Sequence, residues 1–243
     1  MDLQGQRVVV LGGTSGIGLA TAESAARQGA VVTVVSSRPA SVERALSLLT
    51  GHSGGGCDGR VADLADARAV GRLFEDLGEF THLVYTAGEP LTMMPVDTLD
   101  LDAARDFFGL RYFGALGAVR AALPYLRKDG SITLTTGIAK DRPGAGWAVA
   151  ASICGAMESL TKALAVELAP IRVNVVSPGF VRSPLWSAMG EEEREQMYAG
   201  IGAAIPAGRV GEVEDIARAY VFLMTEPFAT GTVLTVDGGN VLV

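Results

Sequence analysis

The stretch VVVLGGTSGIGLATA, residues 8 to 22, holds the first chemistry legible in this chain. Gly12, Gly16 and Gly18 fall between an apolar run and an alanine-rich run of helical spacing. Glycines placed this way let the backbone approach a pyrophosphate and let a helix start close to the preceding strand. The free N–H groups of that helix then face the anion. A glycine-rich turn alone is a weak signal, but strand before and helix after make it a dinucleotide site. The end of the next apolar run, VVSSRP, supplies Ser37 and Arg38 where an acidic residue would hold the adenosine ribose hydroxyls. A guanidinium can stack on adenine and pair with a 2′-phosphate, so NADP(H) is favoured over NAD(H).

The elements that position these residues follow from the pattern. Val-rich runs recur at 7–12, 31–37, 82–88, 131–136, 171–179 and 232–239, and such continuous runs suit strands buried on both faces. Between them lie helical stretches such as GIGLATAESAARQG and EVEDIARAYVFLM. This alternation predicts an α/β chain: one Rossmann-type domain over 1–243, a doubly wound parallel sheet of about seven strands with helices on both faces. The Gly-rich GHSGGGCDG, 51–59, is expected to be a connection before a strand at RVADL. The acidic EEEREQ, 191–196, reads as a solvated helix face. It falls within 183–209, a segment expected to cover the ligand crevice.

Composition narrows the function classes. The 243 residues are 49% hydrophobic and 19% charged, a globular balance, and the net charge of −7 disfavours a nucleic-acid surface. Two cysteines, Cys57 and Cys154, cannot build a disulfide framework, and with only His52 and His82 no metal cluster is expected. No targeting segment is evident at the N-terminus and no stretch reaches the length of a membrane span, so the expected setting is cytoplasmic.

Taken together, the glycine turn and four further motifs resemble the short-chain dehydrogenase/reductase family over essentially the whole chain. ADL with Asp63 is similar to its adenine contact and TAG at 86–88 to the end of its NNAG turn. RVNVVSPGFVRSP resembles its nicotinamide-side strand and loop, and TVLTVDGG its last strand. The resemblance implies cofactor contacts at Gly12, Thr14, Ser15, Gly16, Ile17, Gly18, Ser37, Arg38, Asp63, Leu64, Ala87, Gly88, Pro178, Gly179, Val181 and Ser183. It also implies a homotetramer or homodimer built on helices that include 103–127 and 150–168.

The family's general acid is a Tyr with a Lys four residues on, both facing the cofactor from one side of a helix. Alignment through GAMESLTKALAVELAP places those positions at Ala150 and Cys154. The family's Ser falls near Gly137, with Thr136 one residue away as a substitute hydroxyl. Its Asn falls at Arg111, and Tyr85, Thr86 and Leu11 replace other motif residues. Arg111 is expected to reach the space that a Lys at 154 would fill, restoring positive charge beside the nicotinamide; the alternative is a solvent-facing or interfacial ion pair. Cys154 reads as a small buried hydrophobe more readily than as a nucleophile. Lys140, Asp141 and Arg142 are plausible substrate contacts after a strand end. Trp147, Trp186, Met189 and Tyr198 are candidates for an apolar wall, with ordinary core packing as the alternative.

Three functions remain open at this level. The first is an NADP(H)-dependent reductase acting on a small carbonyl or imine/iminium substrate without the usual Tyr, with Arg111 and Thr136 as its catalytic candidates. The second is a binding-only homologue serving as a sensor or partner subunit. The third is a non-redox enzyme that uses the same pocket.

Overall fold

The computed structural model describes residues 2–51 and 56–243, so His52 and the centre of the Gly-rich connection lie outside the described residues. Seven parallel strands form one sheet: β1 (Arg7–Leu11), β2 (Val31–Ser36), β3 (Cys57–Val61), β4 (Phe80–Tyr85), β5 (Leu126–Thr135), β6 (Arg172–Pro178) and β7 (Val233–Val236). Their order is β3-β2-β1-β4-β5-β6-β7, a Rossmann-like arrangement. Eight helices flank them: α1 (Gly16–Arg27), α2 (Pro39–Leu49), α3 (Ala67–Leu77), α4 (Leu101–Phe108), α5 (Ala115–Ala122), α6 (Ala148–Glu167), α7 (Glu191–Ala204) and α8 (Val213–Thr225).

Period-two alternation distributes each valine run between two cores. Val8 and Val10 of β1 face a core that takes Ala22, Ala25 and Ala26 from α1, Ala45 and Leu49 from α2, and Ile216 and Tyr220 from α8. Val9 and Leu11 face the other, built with Phe74 of α3, Ala115 and Val119 of α5, and Ile153 and Met157 of α6. Both faces are covered, which is why the strands read as unbroken apolar runs and not as alternating ones. Small alanines on α1 allow a close approach to the sheet. Arg172 closes the last turn of α8, its guanidinium donating to the carbonyls of Leu223 (2.7 Å) and Met224 (2.7 Å), a cation placed where the helix dipole is negative.

Three boundaries differ from expectation. The third strand is Cys57–Val61, so Asp63 and Leu64 of RVADL lie in the turn beyond it. The fifth begins at Leu126, paired with Phe80, before a register shift leads into the Ser131 pairing. The helix expected over 103–127 therefore ends at Ala122. Helix α6 has 20 residues and a mean hydropathy of 1.3, long and apolar enough to cross a membrane by length and composition, against the expectation that no stretch reaches that length. Here it lies on the sheet, with Ile153, Met157 and Leu164 buried.

Candidate functional site

Because β1 is flanked by β2 on one side and β4 on the other, the chain reverses direction across the sheet at this point. A crevice opens at the carboxyl ends of the strands at such a reversal. A cleft of about 690 Å³ lies there. All sixteen residues expected to touch cofactor line it, as do Arg111, Thr136, Gly137, Ala150 and Cys154.

The β1–α1 turn is built for close approach. Gly12 has φ +83°, and a Cβ there would stand 2.6 Å from the Ala87 nitrogen. A Cβ on Gly18 would overlap the Gly12 carbonyl and the Thr86 hydroxyl. Thr86 holds the β1 end, donating from its N–H (2.9 Å) and its hydroxyl (3.1 Å) to the Leu11 carbonyl. Ser15 precedes α1 without capping it, and the first turn carries no acidic side chain. The N–H groups of that turn are thus left for an anion. These features fit a dinucleotide pyrophosphate.

At the β2 end, Arg38 immediately precedes α2 and its N–H donates to Ser36 Oγ at 3.3 Å. Arg44, which sequence reasoning missed, lines the same part of the cleft from α2. It lies six residues beyond Arg38 on a helix that starts at the strand end, and that spacing was the available signal. The residues at the end of β2, Ser36 to Pro39, include no carboxylate that would exclude a phosphate.

The β5–β6 side is built differently. Ala150 and Cys154 come from successive turns of α6 and line the cleft together. The Thr136 hydroxyl donates to the Cys154 carbonyl at 2.9 Å. A Cβ on Gly137 would meet Cys154 Sγ at 3.5 Å, ordinary contact distance. Burial pushes the Cys154 thiol up, opposed by the Thr136 hydroxyl and the charge of Arg111.

Arg111 sits in a π-helical turn, Gly109–Gly114, that joins α4 to α5. Such a turn carries an extra residue and re-aims side chains, often at functional sites. The guanidinium donates to the Glu89 carbonyl, lies 4.5 Å from the Phe107 ring centroid, and places Nε 3.7 Å from Glu89 Oε2. Burial lowers its pKa, partly offset by the Glu89 carboxylate. Arg111 Nε is buried and makes no hydrogen bond, with the Glu89 carboxylate as its nearest ionic partner. A Cβ on Gly88 would stand 2.8 Å from Arg111 Nη1, so a side chain there would displace the guanidinium from its present position.

Other candidates separate. Trp147 and Trp186 line the cleft, whereas Met189 and Tyr198 pack behind Trp186. Tyr198 carries Arg182 over its ring, and Arg182 pairs with Glu195 at 2.6 Å, while Glu195 itself stays exposed. Lys140, Asp141 and Arg142 are not on the cleft wall. Lys140 Nζ pairs with Asp141 (2.5 Å) and Glu158 (3.0 Å) behind it, because the 3-10 turn Ile138–Lys140 directs only Ile138 and Ala139 inward. Among the described residues no group of acidic, His and Cys side chains forms a metal site.

Comparison with known proteins agrees with this fold. The family described as enoyl-(acyl carrier protein) reductase matches residues 12–240. The short-chain dehydrogenase/reductase ucsE of Acremonium sp is 35% identical over 99% of this chain and 97% of its own length. The solved structure of the MalC reductase/Diels-Alderase from Malbranchea aurantiaca superposes with TM-score 0.93 at 29% identity, covering 99% of this chain and 98% of that one. A small-chain dehydrogenase in complex with NADPH superposes with TM-score 0.85 at 35% identity, covering 99% and 100%.

Proposed function

The chain belongs to the short-chain dehydrogenase/reductase family, and from that premise we propose that it is an NADP(H)-dependent reductase whose acceptor supplies its own activation. The acceptor class is an iminium, or a carbonyl polarised by its own acidic group or by Arg111. The observation that carries this reading is a glycine-built phosphate cradle that shares one cleft with a wall of Gly137, Ala150 and Cys154, beside which Arg111 is the lining cation.

Each residue has a task in this proposal. The first turn of α1 binds the pyrophosphate, and Arg38 with Arg44 holds the 2′-phosphate. Arg111 donates to a ribose hydroxyl or to the acceptor, standing in for a Lys at 154. Bound NADPH supplies the hydride. A ketone needs that hydride at carbon and also a proton at oxygen. Ala150 has no proton to give, the Cys154 thiol is held up by burial, and the Thr136 proton is committed to a backbone carbonyl. An iminium carbon needs only hydride, becoming an amine as NADPH becomes NADP⁺. Glu89 balances Arg111, so a cationic acceptor is not repelled.

A second reading has one specific support: the MalC structure belongs to a protein described as both reductase and Diels-Alderase. In that reading the pocket folds a substrate for cycloaddition while the cofactor serves as structure. NADPH consumption across panels of ketones and cyclic imines separates the readings. Imine turnover with poor ketone turnover supports the reductase. Rapid ketone turnover contradicts the missing proton donor, and turnover of neither shifts weight to the non-redox or binding-only readings.

We further propose a single domain over 1–243 in a cytoplasmic setting, with 183–209 as the substrate-side lid. Pro184, Leu185 and Trp186 of that segment lie on the cleft wall. The outer face of α4–α6, with Leu101, Phe113 and Val166 exposed, is proposed as the homodimer or homotetramer contact. Light scattering of the purified chain tests it; a monomer at micromolar concentration contradicts it.

A further inference from the structure

Three aromatic side chains from separate segments converge at the β5–β6 side of the cleft. Trp147 precedes α6, Phe180 follows β6, and Trp186 lies in the short turn Pro184–Trp186. Phe180 and Trp186 are stacked, with centroids 5.3 Å apart and planes 14° apart. Trp147 leans towards both, at 6.1 Å and 6.4 Å. All three line the cleft. Tyr198 and Val210 are buried behind Trp186 and fix the outer side of the corner. Its roof is tied across the cleft by the Leu91 N–H donating to the Leu185 carbonyl at 3.0 Å.

The charge around this corner is already paired. Glu89 and Arg111 engage each other, and Lys140 is neutralised by Asp141 and Glu158 behind the wall. Among the described residues that line the corner, no unpaired cation is present to select an anionic tail. What the corner offers is flat aromatic surface, whose quadrupoles favour offset stacked and edge-to-face rings, and indole faces that also accept cations.

We infer that this corner selects the acceptor by its ring system: it holds a flat, benzo-fused heterocycle whose C=N bond reaches past Ala150. The inference rests on the reductase reading for the C=N bond but not for the ring. The chain has two tryptophans, Trp147 and Trp186, and both line the cleft, so intrinsic fluorescence reports on this corner directly.

The test is binding to the full chain saturated with NADP⁺, using 3,4-dihydroisoquinoline as the aromatic imine and 1-pyrroline as the imine without an aromatic ring. Tryptophan quenching and titration calorimetry are expected to give at least a tenfold tighter Kd for dihydroisoquinoline. Trp147→Leu and Phe180→Leu are each expected to erase that preference while leaving NADP⁺ affinity unchanged, and Trp147→Phe to restore most of it. Equal affinity for the two imines, binding of neither, or a preference that survives both leucine substitutions overturns the inference. Dihydroisoquinoline binding without NADPH oxidation supports the ring subsite while sinking the reductase reading; equal turnover of both imines at equal affinity does the reverse.

Discussion

The two ends of the cleft are made of different materials. Around Gly12 and Gly18 the site is backbone: a positive φ, contacts that exclude a Cβ, and N–H groups at an uncapped helix start. Around Ala150 and Cys154 it is side chains on a regular helix, where substitution leaves the backbone undisturbed. A backbone site changes only if the fold around it changes, whereas a side-chain site can be rewritten one residue at a time. The two regions therefore differ in how readily they can change, even though they share one cavity.

The strongest way to sharpen the comparison is to change the side chains of the wall. Ala150→Tyr with Cys154→Lys is expected to raise ketone reduction by about 10²- to 10⁴-fold, the usual worth of positioned general acid catalysis. Steady-state kcat/KM on a ketone panel checks it; no gain would mean that more than two side chains separate this wall from a ketone-reducing one. Breaking the backbone end comes next. Gly12→Val combines strain of about 1 to 3 kcal/mol at positive φ with overlap at Ala87, and is expected to weaken NADPH binding roughly 100-fold with the far-ultraviolet spectrum retained.

Arg111→Ala is expected to weaken cofactor or acceptor binding by about 1.5 to 3 kcal/mol, the range for a charge-assisted hydrogen bond. Calorimetry that finds both affinities and any turnover unchanged would make the arginine structural. Arg38→Asp is expected to move preference towards NADH by about tenfold or more, since a carboxylate repels the 2′-phosphate and accepts from ribose hydroxyls. Equal affinity of the unmodified protein for NADPH and NADH contradicts that assignment. The smallest effect belongs to Cys154. Burial holds its pKa above the ordinary thiol value, so it stays protonated through neutral pH. Cys154→Ser is expected to change imine turnover by less than about threefold, and iodoacetamide to react slowly.

The sequence disclosed the backbone end almost whole. The glycine spacing, the valine runs and the SSRP strand end are local patterns, and the residues they single out, Gly12, Gly16, Gly18, Ser37 and Arg38, line the cleft. The reacting end was legible only by residue type. Nothing in the periodicity of GLRYFG marks a π turn, because six residues span too few turns to show a change of period, although that turn places Arg111. Glu89 carries no motif and matters only because the turn after β4 folds towards α4. Lys140 and Arg142 looked like contacts because they follow a strand end, yet a one-turn 3-10 helix moves them off the wall. Met189 and Tyr198 belong to the same segment as Trp186, and only packing decides which of the three faces inward.

Hydride transfer itself is the most direct test of the central claim. The unmodified protein is incubated with NADPH carrying deuterium in the transferable C4 position and with 3,4-dihydroisoquinoline, and the product is read by mass spectrometry. One deuterium per amine formed, with one NADP⁺ released for each, is the expected result. An amine without deuterium, or labelled cofactor left intact while the imine persists, would contradict a reductase that needs hydride and no proton donor of its own.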